Sequence, residues 1–139
     1  KNYAYSNRDV RAIFSEIDKM LTGSHCDYAV SLLQESSLLS WILPEVTAMI
    51  GVEQPPEFHP EGDVFAHTIK ALSLLDDKKT AVLGWSTLLH DIGKPSTKTV
   101  TDRIRFNSHD RVGAIMAKRI LKRLRASNLL IENVEATIP

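Results

Sequence analysis

The sequence predicts an all-α domain. Apolar residues recur at three- and four-residue steps along most of the chain. Glycines, prolines and Ser, Thr or Asp caps punctuate those runs at helix-sized intervals. Strand-like alternation is confined to residues 96–107. With 139 residues, the chain has the length of one domain. It is 43% hydrophobic and 24% charged, with formal net charge zero, which excludes a disordered chain.

The elements follow in order. Val10, Ile13, Phe14, Ile17, Met20 and Leu21 make a first helical stripe, stopped by Gly23. Ser24 is expected to cap a second helix, with Cys26, Ala29, Val30 and Leu33 as its apolar stripe. Pro44 and Glu45 open a short helix through Ile50, ended by Gly51. Residues 51–62 hold three prolines and two glycines and read as a loop. Asp63 caps a helix to about Asp76, with Phe65, Ile69, Leu72 and Leu75 facing inward. After a turn at residues 76–79, Thr80 caps a helix to about Ile92, closed by Gly93 and Pro95. Residues 96–107 are either a small hairpin turning at Asp102-Arg103 or an ordered loop. A long helix from Asn107 or Ser108 to about Ala126 and a last one from Asn128 complete the chain. Trp41 and Trp85 fall in apolar helical contexts and read as core.

Composition narrows the setting. No apolar stretch approaches the ~18 residues of a membrane span, so no membrane partner is expected. The single cysteine, Cys26, and the lack of an apolar leader fit a reducing, cytoplasmic setting. The chain does not begin with Met and stops at Ile138-Pro139, so it is expected to be a piece of a longer protein. Charge is uneven. Residues 1–66 hold 4 basic and 10 acidic side chains, whereas residues 67–139 hold 13 basic and 7 acidic. Residues 111–125 carry six basic groups and no acid. Such a run is either a solvated helix face or a surface for a phosphate-rich partner.

Ser24-His25-Cys26-Asp27 sets thiol, imidazole and carboxylate side by side, but catalytic pairs meet in space, and Cys26 sits on an apolar stripe. Gly93-Lys94-Pro95 lacks the phosphate-loop pattern, and one cysteine excludes a thiolate zinc site. The strong signal is His90-Asp91-Ile92-Gly93-Lys94-Pro95, placed where a helix ends. A carboxylate at the negative end of a helix dipole costs ~0.3–1 kcal/mol, a sign that a bound cation reverses. A divalent ion there needs a third ligand. His67, mid-helix among apolar residues, is either a half-buried core group or that ligand, and His109 could approach from another side. Mixed imidazole and carboxylate ligation suits Mg, Mn, Fe, Ni or Zn.

His67 followed by Leu88-Leu89-His90-Asp91-Ile92-Gly93-Lys94-Pro95 resembles the HD-domain superfamily of metal-dependent phosphohydrolases. Three further stretches are similar to the HD region of bacterial tRNA nucleotidyltransferase and poly(A)-polymerase-like proteins. They are Ile42-Leu43-Pro44-Glu45, Phe58-His59-Pro60-Glu61-Gly62-Asp63-Val64-Phe65-Ala66-His67-Thr68 and Arg105-Phe106-Asn107-Ser108-His109-Asp110. The resemblance covers residues 23–138 and implies an all-α HD helical bundle. With no linker in the sequence, one domain is expected over residues 1–139, with lead-in helices over 1–50 and the motif helices over 63–139. The resemblance also implies His67, His90 and Asp91 as ligands of a divalent metal ion, with His109 at the rim. Two departures stand out. No Asp follows Asp110, so the superfamily's later aspartate ligand is expected either to lie on helices beyond Pro139 or to be lost, and residues 1–139 hold no nucleotidyltransferase head.

Two functions follow from the resemblance. In the first, the chain hydrolyses a nucleotide or RNA phosphoester: Asp91 helps orient the attacking water, and Lys94 neutralises phosphate charge, a task for which Arg103 and Arg105 are further candidates. In the second, it is a non-catalytic structural module that positions tRNA-like RNA through Lys118, Arg119, Lys122 and Arg123.

Overall fold

The computed structural model describes residues 6–55 and 62–138. The stretch Phe58-His59-Pro60-Glu61 lies outside the described residues. The expected all-α architecture is present. Helix α1 (Asn7–Thr22) starts where Ser6 accepts a hydrogen bond from the Asp9 N–H, and it buries Ile17 and Leu21. Helix α2 (Cys26–Glu35) starts later than expected: His25, not Ser24, is its N-cap, and no side chain caps it. Burial sets that start, because Cys26, Val30 and Leu33 must face the core together.

Two one-turn helices follow, α3 (Leu39–Ile42) and α4 (Pro44–Thr47), where the sequence predicted only the second. Trp41 is a correction: it is 79% exposed rather than core. Leu39 and Leu43 take the inward positions of this turn. Trp41 is two residues from Leu39, about 200° around the helix, and so faces water. At Gly51 the backbone turns left-handed, φ 82°, a conformation that favours glycine. The Gly51 N–H donates to Asp63 Oδ2 at 2.7 Å, while Asp63 Oδ1 accepts from the Ala66 N–H. One carboxylate thus caps the next helix and ties it to the end of α4.

Helix α5 (Val64–Ser73) buries Val64, Thr68 and Leu72. Of the expected inner residues only Leu72 is fully buried; Phe65, Ile69 and Leu75 pack partly against the core. The helix lies against both α2 and the following α6, so its apolar face is broader than one stripe. Thr80 caps α6 (Ala81–Leu89) by accepting from the Leu83 N–H. Trp85 is fully buried, stacks on Phe14 with centroids 5.5 Å apart, and donates through Nε1 to Asp18 at 2.9 Å. Helix α6 ends at Leu89, short of the expected Ile92. Turns cover residues 90–93, and Pro95 stands in the first turn of α7 (Lys94–Thr97). Proline therefore opens a helix here, where its missing N–H costs nothing.

The alternative left open for residues 96–107 resolves to a hairpin preceded by α7. Strands β1 (Lys98–Val100) and β2 (Ile104–Phe106) pair antiparallel with Thr99 opposite Arg105. Helix α8 (His109–Arg123) and Ser127-capped α9 (Asn128–Thr137) follow. Buried apolar side chains from α1 to α6, α8 and α9 join one core that includes Leu21, Trp85, Leu88 and Leu121. No described helix is long and apolar enough to cross a membrane.

Candidate metal centre

Three elements converge on Asp91. Helix α5 carries His67, the end of α6 carries His90, and α8 begins with His109. The crossing is close because of glycine. A Cβ at Gly93 would lie 2.4 Å from the His109 carbonyl oxygen and 2.7 Å from the Gly113 nitrogen. Only a glycine at position 93 lets the turn after Asp91 press against α8 at this distance, whereas a Cβ at Gly113 would meet nothing closer than 3.5 Å.

Asp91 has a side chain only 5% exposed. Its Oδ2 lies 3.2 Å from His90 Nε2, 3.3 Å from Lys94 Nζ and 3.8 Å from His67 Nε2. Despite these approaches, Oδ2 has no partner with hydrogen-bond geometry among the described residues. His90 Nδ1 sits 2.6 Å from the Thr87 carbonyl oxygen and His109 Nδ1 sits 3.1 Å from that of Phe106. A carbonyl only accepts, which assigns the proton of each neutral ring to Nδ1. Neutral His90 then turns the lone pair of Nε2 onto a carboxylate oxygen, a repulsion that a proton or a metal cation relieves.

Proton affinities reflect the same conflict. Burial disfavours charge on His90, but Asp91 and the Thr87 carbonyl outweigh it, and the pKa is raised. Burial likewise pushes Asp91 upward, but His90 and Lys94 more than offset it and hold its pKa down at about 2. One donor atom each from His67, His90 and Asp91 lies within 4.8 Å of the others, a group compact enough to hold a metal ion.

His109 stands at the rim, its Nε2 3.8 Å from Asp91 Oδ1 and 2.8 Å from Asp110 Oδ1. Lys94 is buried. Its Nζ donates to Gln54 Oε1 at 2.6 Å and lies 5.2 Å from the centre of the Phe106 ring. Gln54 and Phe106 were missed as parts of this site. Gln54 lies 40 residues from Lys94 in a loop, and no local pattern marks it.

Lys118, Arg119 and Lys122 of α8 are exposed. Arg123 departs from the stripe. It grips Glu45 through both guanidinium nitrogens, one contact at 2.9 Å, and donates to the Ile42 carbonyl at 3.3 Å. Burial pushes the Glu45 pKa up, but Arg123 more than offsets it, and the net shift is downward. Arg105 contacts Asp102 at 3.4 Å, and Arg103 is exposed.

Residues 64–138, which include all of His67, His90, Asp91 and His109, match the family described as HD domain. The chain belongs to the HD domain family. HD domains bind divalent metals, and in this HD domain the group that could hold one is His67, His90 and Asp91. Residues 13–50 match a second family, described as a probable RNA- and SrmB-binding site of polymerase A. The chain is 33% identical over 119 residues to the multifunctional CCA protein of Shewanella frigidimarina, covering 84% of the chain and 28% of that protein. It is 36% identical over 98 residues to the protein of that name from Halorhodospira halophila, covering 70% and 23%. The Neisseria meningitidis protein of that name is 33% identical over 125 residues, covering 88% and 30%. The chain thus spans less than a third of these relatives. It is an HD region of the kind found in tRNA nucleotidyltransferase-like proteins.

Proposed function

We propose that this HD domain is a metal-dependent phosphohydrolase acting on a nucleotide or RNA phosphoester, within a cytoplasmic tRNA nucleotidyltransferase-like protein. One observation carries the reading: a buried carboxylate oxygen, without a hydrogen-bond partner among the described residues, faces two imidazole Nε2 atoms. A bound divalent ion supplies Lewis acidity toward water and a phosphoryl oxygen. The protein's own groups do the rest. His67, His90 and Asp91 would hold the ion, and the Thr87 carbonyl, by accepting the hydrogen bond of the His90 Nδ1 proton, leaves Nε2 free to face it. Asp91, ionised down to a pKa of about 2, also orients the attacking water. Lys94, anchored by Gln54, sets a positive charge behind the site against the charge that phosphoryl transfer builds. His109, 2.8 Å from Asp110, stands at the rim.

The test is turnover of a generic phosphoester with Mn or Ni. Assayed alone, residues 1–139 with an ion held by His67, His90 and Asp91 should give slow turnover. His90→Ala and Asp91→Asn should each lower it by about 100-fold or more, the scale on which small misplacements cost rate. Equal turnover in wild type and variants overturns the reading.

A second reading, a structural RNA-positioning module, is favoured by the match of residues 13–50 to an RNA-binding family and by the exposed cations of α8. Both roles are compatible within one longer protein.

A further inference from the structure

We propose that Trp41 is a base-stacking platform for single-stranded RNA, flanked by the cationic edge of α8; this rests on the RNA-positioning reading. Trp41 is 79% exposed, and Leu38, three residues earlier and so on the same side of the turn, is 52% exposed. Among the described residues neither joins the core, where Leu39 and Leu43 fill the inward positions of this segment. The other indole is handled in the opposite way, enclosed against Phe14 and hydrogen-bonded to Asp18.

The neighbourhood supplies the charge. The carbonyl of Ile42, the next residue, accepts from Arg123, which also neutralises Glu45. The basic end of α8 is therefore fastened beside α3. Lys122 is adjacent to Arg123 and Arg119 lies one turn before it, both exposed. An aromatic face beside cations that track a backbone is how single strands are bound without sequence preference. Two apolar side chains make a small patch against the roughly 800 Å² per partner of a stable protein interface, whereas one indole suffices for one base.

The two tryptophans make the test direct. Trp85 is sealed in the core, so quenching of tryptophan emission on ligand addition reports Trp41. A short oligoadenylate should quench the emission, and polyphosphate of matched charge should bind without quenching. Trp41→Ala should weaken oligoadenylate binding, read by anisotropy of a labelled strand, by roughly 5- to 150-fold while leaving polyphosphate binding unchanged. Trp41→Phe should recover part of the loss, and Trp85 emission should confirm that both variants fold. Wild-type oligoadenylate affinity in Trp41→Ala overturns the platform and leaves the basic stripe standing. Failure of the wild type to bind either polyanion overturns both readings. A Trp41→Ala variant that changes only the sedimentation of the protein, with RNA affinity intact, assigns the patch to a protein contact and also overturns the proposal.

Discussion

Asp91 holds the sharpest electrostatic conflict in the molecule. Its Oδ2 is buried, ionised and ringed by three nitrogens, none in hydrogen-bond geometry. Metal and proton compete for the same imidazole lone pairs, which fixes the direction of the pH dependence. His90 has a raised pKa, so its charged pairing with Asp91 is fully present below the ordinary imidazole value and fades as pH rises through the raised one. Asp91, at about 2, stays ionised throughout that range. The metal-induced gain in Tm should therefore be small in mild acid and grow as pH rises through and above neutrality. Thermal melts with and without Mn or Zn across that range measure it, and a gain that shrinks with rising pH would contradict the assignment. Asp91→Ala should lose the metal while keeping its helical circular dichroism; equal metal content would remove Asp91 from the ligand set.

These residues come together where the turn at Gly93 packs directly on the backbone at the start of α8. At Gly93 the backbone is ordinary, φ −83°, so the requirement is for space rather than for conformational freedom. Gly93→Ala would drive a methyl group into backbone atoms of His109 and Gly113, which cannot rotate away. We expect a loss of about 1–3 kcal/mol or more, seen as a fall in Tm of several degrees, with weaker metal binding as α8 is pushed off Asp91. A variant with unchanged Tm would show that the crossing has slack. At the same scale Arg123 acts as a tether between α8 and the α3–α4 turn, a use that its place in a basic run did not reveal.

Across the whole molecule, zero net charge conceals an acidic first half and a basic second half. Of the four stripe cations Lys118, Arg119, Lys122 and Arg123, the first three remain for phosphate once Arg123 is committed to Glu45. RNA affinity should then fall with salt along a log–log slope of about −2, from three contacts at roughly −0.7 each on a single strand. Replacing those three residues with Gln, and leaving Arg123 intact, should flatten the slope without lowering Tm. A slope unchanged in the triple variant would assign those cations to plain solvation.

Local chemistry alone determined much of this protein. The caps at Asp63 and Thr80 were readable because a capping side chain reaches only three residues ahead. The HD motif was readable because its residues stand in an ordered pattern along the chain. The group that could hold a metal ion, His67, His90 and Asp91, was legible because ligand-type residues in a motif are visible without coordinates. Tertiary structure decided everything that depends on distance in space. It turned Trp41 outward because Leu39 and Leu43 took the core, and it ended α6 at Leu89 so that Asp91 lies in a turn. It committed Arg123 to Glu45 across 78 residues and placed Gln54 on Lys94 across 40. Contacts of that separation leave no local pattern, because they are fixed by which helix faces win burial.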